Sequence, residues 1–306
     1  MCDRSKYSHN GVYKCENFAQ HVEDGDFFQT ARIHFPFHSL ISFDILIEDD
    51  VTRVAPYIVN RRQSNIQISF CFNILKKDGT SSFETESKHI YLESREECWG
   101  KKMDIVELLD ENNGYLDNGA LTLEYGVQLE SEQWEDGIWM FNFHDKFFEW
   151  QTKDYMFTFT KRDGHVYCHK QILKLHSTTI DANKNSVWVP FFPYGACSMF
   201  VQISHGVRFQ KNIFSAIDYR NVVRIAYYFG FSNTVKYCEQ LLIITEPKLK
   251  INLFKMAVKR DMRCYLVFLL KQIETKKQLV KIMRGLNLEK MSSQTMKAIV
   301  AKIFSL

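Results

Sequence analysis

At 306 residues, with 45% apolar and 14% aromatic side chains, the chain has the length of about two domains and too much hydrophobic content to be mainly disordered. No stretch approaches the ~18 uninterrupted apolar residues of a membrane-spanning helix, and residues 1–6 lack the apolar core of a secretory signal. The net charge of +3 conceals two opposite halves: residues 1–150 carry 14 basic and 27 acidic side chains, net −13, and residues 151–306 carry 25 and 9, net +16. Opposite signs predict two separately built units.

In chain order, the first half reads as strands, with candidates at 27–35, 41–48 and 54–59. Ile66, Ile68, Phe70, Phe72 and Ile74 then occupy every second position, the pattern of one buried strand face. Lys76-Lys77-Asp78-Gly79 supplies an Asp-Gly hairpin turn, and the returning strand region 83–92 carries Tyr91. A short helix is predicted near 103–109. Leu121, Leu123, Tyr125, Val127 and Leu129 alternate again, so the whole predicts an antiparallel sandwich. A boundary falls near 132–150, and a second hairpin, 155–160 with 166–168, turns at Lys161-Arg162-Asp163-Gly164. Beyond about 210 the period becomes helical. Val222, Val223, Ile225, Ala226 and Phe229 form one stripe ended by Gly230, and a second opens at Ser232 and runs through Val235, Cys238, Glu239 and Leu242. Thr275 and Gln278 have capping-box spacing ahead of Leu279, Ile282, Met283 and Leu286, and Met296, Ile299, Val300 and Ile303 form the last stripe.

Little in the chain points to chemistry. The eight cysteines include no Cys-x-x-Cys pair and no Asn-x-Ser/Thr site occurs, so reduced thiols in the cytoplasm or nucleus are predicted. There is no phosphate-binding Gly-rich loop, nucleophile elbow or His-Glu-x-x-His helix. His165 and His169 flank Cys168, but a strand leading into a helix points Cys168 away from both. Neither catalysis, a metal nor a cofactor is expected. The 14 basic against 3 acidic residues from 248 onwards recur between apolar ones, as on solvated amphipathic helices, so nucleic acid is not expected as a partner. Recognition remains. Tyr57, Phe70, Tyr91 and Trp99 fall on or beside successive strands, where they serve either a sandwich core or a binding surface.

The run Cys98-Trp99-Gly100-Lys101-Lys102-Met103-Asp104-Ile105, followed by Leu108-Leu109 and Gly114-Tyr115-Leu116-Asp117-Asn118-Gly119-Ala120-Leu121-Thr122-Leu123-Glu124, resembles the C-terminal signature of a MATH (meprin and TRAF homology) domain. Cys168-His169-Lys170-Gln171-Ile172-Leu173-Lys174-Leu175-His176-Ser177 resembles the opening of a BTB/POZ domain, and Ala226-Tyr227-Tyr228-Phe229 and Cys238-Glu239-Gln240-Leu241-Leu242 resemble its closing helices. The resemblance implies a multidomain chain: an N-terminal segment 1–26, an all-β MATH sandwich over 27–131, a linker over 132–149, a shortened α+β BTB/POZ domain over 150–245 and a helical extension over 246–306. It also implies a non-enzymatic adaptor. The sandwich would hold a short extended peptide of a target, and the BTB domain would form a homodimer and dock a cullin of a ubiquitin ligase.

Carried over by position, Tyr57, Phe70, Tyr91 and Trp99 would line the peptide groove, and Asp154 and Lys170 would pair near the dimer interface. Two departures stand out. Lys101 replaces an aromatic two residues after Trp99, which opens the groove to an acidic or phosphorylated peptide. No Glu lies between Glu149 and Glu239, where the family carries a hydrophobic-x-Glu cullin contact, so a self-associating scaffold without cullin binding is the alternative.

Overall fold

The computed structural model describes residues 3–24, 32–35, 39–47, 53–84, 88–134, 137–145, 155–181, 183–209 and 216–306. The chain divides into two units, Met1–Asp154 and Tyr155–Leu306.

The first unit opens with β1 (His9–Cys15) and α1 (Phe18–Asp24). It continues through β2 (Arg32–Phe35), β3 (Ser39–Ile47), β4 (Arg53–Asn60), β5 (Ile66–Leu75), β6 (Ser81–Glu84), β7 (Lys88–Leu92), β8 (Glu97–Trp99) and β9 (Met103–Asp104). The short helix α2 (Ile105–Leu109) precedes β10 (Leu116–Asp117), β11 (Ala120–Gln133) and β12 (Trp139–Phe141). One sheet runs β1-β11-β5-β6, with β7 also on β5 and β10 and β12 on β11. The other runs β2-β3-β4-β8, with β9 on β4. All pairings in this unit are antiparallel.

The alternation in β5 produces the core as predicted. Ile66, Ile68, Phe70, Phe72 and Ile74 join Leu121, Leu123 and Val127 of β11, Val54 and Ile58 of β4 and Met103 of β9 in one buried cluster, so the two sheets share a core. The opposite face of β5 is covered as well. Gly126 of β11 stands beside Cys71, and a Cβ there would run into the Tyr7 ring, which lies over the pair with only 6% of its surface exposed. Gly79, at φ +79°, closes the Asp-Gly turn between β5 and β6.

Three boundaries differ from those read in the sequence. Residues 1–26 contain β1, which pairs along its whole length with β11. The stretch 132–149 contains the end of β11 and all of β12, which pairs back onto residues 131–133. The region 83–92 is divided between two strands that pair with different parts of β5.

The second unit begins with the hairpin β13 (Met156–Lys161) and β14 (Gly164–His169), then α3 (Lys170–His176). β15 (Ser186–Trp188) lies parallel to β13, giving the order β14-β13-β15. A parallel neighbour needs a crossover, and the segment carrying α3 provides it. Helices α4 (Tyr194–Ser204), α5 (Ala216–Tyr228), α6 (Ser232–Thr245), α7 (Ile251–Lys259), α8 (Arg263–Lys271), α9 (Lys276–Met283) and α10 (Ser293–Ser305) complete it. Phe159 meets Phe157 within the sheet, Phe200 of α4 and Phe229 beyond α5, and Phe200 in turn meets Phe229 and Phe231, with ring centroids 4.9–6.3 Å apart.

The helix ends are specified locally. Gly230, at φ +71°, turns the chain after α5, and a Cβ there would overlap Thr178 Oγ1. Thr275 Oγ1 accepts the Gln278 N–H, while Gln278 Oε1 accepts the N–H of Glu274. α8 has no side-chain cap of its own; buried Glu239 of α6 accepts the Tyr265 N–H at 3.0 Å in its first turn. Among the described residues the chain is mixed α+β, with ten α-helices, two antiparallel sheets and a three-stranded sheet with one parallel pair.

Candidate functional site

Among the described residues, β8 forms an open edge of its sheet. Its register on β4 places Tyr57 opposite Trp99, Ile58 opposite Cys98 and Val59 opposite Glu97. Gly100 N–H donates to the Pro56 carbonyl at 2.7 Å, and Asn60 N–H donates to the Glu96 carbonyl at 2.9 Å. Hydrogen-bonded pairs alternate along an antiparallel ladder, so Cys98 turns its backbone towards β4, while the N–H and C=O groups of Glu97 and Trp99 point to the open side. Cys98 also packs against the core, which places Trp99 on the outer face.

There the Trp99 ring stacks on Tyr57, with centroids 4.2 Å apart and planes 25° from parallel. Tyr57 is buried beneath this arrangement and Trp99 stays half-buried. Gly100 makes the exit possible: a Cβ would lie 2.9 Å from Pro56 Cγ and 3.1 Å from Phe72 Cδ2. The chain then emerges with Lys101 and Lys102 exposed.

The start of β8 is held by Asn60. Its Nδ2 donates to the carbonyls of Ser64, Leu92 and Glu93, and its Oδ1 accepts the Arg62 N–H. One fully buried amide thereby joins the ends of β4 and β7 to the turn before β8. Arg95 completes that turn at φ +66°, donating its N–H to the Asn60 carbonyl at 2.7 Å.

The predicted groove residues are not gathered in one place. Tyr57 and Trp99 meet, and Lys101 follows two residues on. Phe70 is completely buried in the core between the sheets, because its parity on β5 is that of Ile68 and Phe72. It has no surface to offer a peptide, which corrects its assignment to the groove. Tyr91 lies on the other sheet. Ile90 and Leu92 pack towards the core, so Tyr91 faces outward, 45% exposed, with its ring 5.8 Å from Trp139 of β12 in an edge contact. Sequence spacing did not single out Trp139, because β12 is three residues long and shows no alternation.

Near Tyr91, Ser69 of β5, His89 of β7 and Glu130 of β11 form a hydrogen-bonded trio. Ser69 Oγ and Glu130 Oε1 both meet His89 Nδ1, each at 2.7 Å. A general base needs its two partners on different ring nitrogens, so this is not the arrangement of a nucleophile–base–acid triad.

In the second unit, Lys170 Nζ donates to Asn185 Oδ1 at 2.6 Å, tying the start of α3 to the residue before β15. Its predicted partner Asp154 lies outside the described residues. Cys168 is buried while His165 and His169 are exposed, so the three do not converge. Burial pushes the Cys168 thiol well above its ordinary range, Cys238 up to about 12, and Cys15 and Cys197 to about 11. Thiols held protonated in this way are poor nucleophiles and poor metal ligands at neutral pH. Cys71 is disulfide-bonded, against the expectation of reduced thiols throughout. Among the described residues, no three His, Cys, Asp or Glu side chains are grouped to hold a metal ion, and no helix is long and apolar enough to cross a membrane.

No protein-family model and no curated protein matches the chain. Among solved structures it is similar to a DUF1425 family member from Shewanella sp. pv-4, at 13% identity over 32% of this chain and 85% of that one, with a TM-score of 0.20. A superposition that poor carries no argument about fold or function.

Proposed function

We propose that the chain is a non-enzymatic adaptor that takes an extended segment of a target protein onto the β8 edge and delivers it, through a self-associating second unit, to a cullin ubiquitin ligase. The observation that carries the first half is the open edge beside the Tyr57–Trp99 stack. An added strand would bond to the outward backbone groups of Glu97 and Trp99, the aromatic pair would take an apolar side chain, and Lys101 and Lys102 would favour acidic or phosphorylated residues downstream. Tyr91 would serve that segment only from the other sheet, so its role in the same groove is weakened.

The second half rests on order along the chain. The hairpin β13–β14 runs into α3 over the stretch that resembles a BTB opening, and α5 and α6 carry the stretches that resemble its closing helices. The absence of any Glu between 149 and 239 favours a second reading, a self-associating scaffold that binds peptide without a cullin.

Amide exchange tests peptide addition. Under the proposal, a captured target segment slows exchange at Glu97 and Trp99; unchanged exchange at both would overturn it. Pull-down with the cullin N-terminal domain separates the two readings, since only the ligase adaptor retains it at micromolar concentration.

A further inference from the structure

Helix α9 presents a cationic face that folding does not explain. Lys276, Lys277, Val280, Lys281 and Arg284 line a surface pocket of ≈ 460 Å³. All five are exposed, Val280 by 57%, while Leu279 and Ile282 on the other side of the helix are buried. Lys255 of α7 adds to the patch, its Nζ lying 3.7 Å from where a Cβ would stand on Gly285.

Some cations of this unit have partners, Lys250 with Glu246, Arg263 with Asp261, Lys161 with Asp163, and Arg260 4.7 Å over the Tyr227 ring; what sets α9 apart is that its cations share one face around a pocket. Among the described residues, no ion pair reaches the four cations of α9. Their placement also works against the helix. Lys276 and Lys277 stand in the first turn, where the helix dipole disfavours positive charge. Lys277 and Lys281 repel one another one turn apart, as do Lys281 and Arg284. In the sequence the flanking carboxylates are Glu274, just before the cap, and Glu289, five residues past Arg284.

We infer that this face of α9 docks an acidic segment of another protein, whose carboxylates meet Lys276, Lys277, Lys281 and Arg284 while an apolar side chain rests on Val280. Charge complementarity requires a polyanion, and the exposed valine at the centre of the patch decides which kind. A sugar–phosphate backbone has no use for an apolar contact there, and the pocket offers no aromatic ring for a base to stack on. This docking does not depend on the adaptor reading.

The test is fluorescence anisotropy with the full chain and a labelled peptide of about twelve residues, Asp and Glu around one central Leu. Binding should be salt-sensitive and weaken about tenfold in the triple variant Lys277→Gln, Lys281→Gln, Arg284→Gln. The control pair Lys297→Gln and Lys302→Gln on α10 should leave it within about twofold. Equal losses in both variants would reduce the effect to bulk charge and overturn the inference, as would no binding at about 0.1 mM. An oligonucleotide of equal charge that binds more tightly than the peptide, and is released by the same triple variant, would overturn it in favour of nucleic acid. Thermal melting supplies an independent check: relief of like-charge repulsion should leave the triple variant at least as stable as the parent, and a lower Tm would show that these cations serve the fold.

Discussion

Phe70 and Trp99 stand in adjacent parts of the chain, yet truncating them should have opposite consequences. Phe70→Ala removes a fully buried ring from the core between the sheets and should cost about 3–5 kcal/mol in urea unfolding. Trp99→Ala should leave most of the stability and weaken binding of a target peptide by at least about 2 kcal/mol, the scale of an interface hot spot. Spacing alone could not sort them. Alternation reveals that residues share a face, not which face meets water, and on β5 both faces are covered.

His205 is a second residue whose behaviour follows from its surroundings. It follows α4, its Nδ1 lies 2.8 Å from the Val201 carbonyl, and its Nε2 accepts the backbone N–H of His169. Only the neutral ring can accept that bond. Burial, with smaller contributions from nearby His169 and His176, lowers its pKa from 6.5 to about 4. The unfolded chain takes up this proton first, so the stabilising difference is complete above pH 6.5 and is lost as pH falls towards 4. The full difference is at most about 3 kcal/mol, less for a ring that is partly exposed. Urea midpoints measured across that window should fall, and His205→Gln should flatten the slope.

At the scale of elements, Glu239 is the clearest case of one helix completing another. Glu239→Ala should destabilise the second unit by about 1–3 kcal/mol, because the first turn of α8 loses its acceptor inside the protein. Glu239→Gln keeps an acceptor oxygen and should recover part of the loss, and chemical denaturation of both variants checks this. The caps that lie within a few residues of the helices they bound were legible in advance: Thr275 with Gln278, and Gly230 after α5. The Glu239 cap was not, since its carboxylate and its amide are 26 residues apart. Strand existence was read well wherever alternation ran for five or more residues. β1 and β12 escaped because β1 exposes most of one face without a regular apolar repeat and β12 is too short to show a period. The bulge at Glu130 also broke the pattern. Leu129 faces the core, whereas Ser131, two residues later, pairs with Gln67 on the outer face.

For the whole molecule, the charge asymmetry read in the sequence persists across the division between Asp154 and Tyr155. Counted over the observed units, residues 1–154 carry 15 basic and 28 acidic side chains, net −13, and residues 155–306 carry 24 and 8, net +16. Each unit encloses a core of its own, so residues 1–154 and 155–306 expressed separately should each unfold cooperatively, as followed by circular dichroism. What the sequence could not convey was how the aromatics divide between two outer faces. Trp99 stands on one sheet and Tyr91 on the other, with ~10 Å between the sheets they belong to. A tail lying along β8 therefore leaves the Tyr91–Trp139 pair untouched. If the proposed peptide binding holds, the two pairs act separately, and the effects of Trp99→Ala and Tyr91→Ala on one bound peptide should show no coupling in a double-mutant cycle.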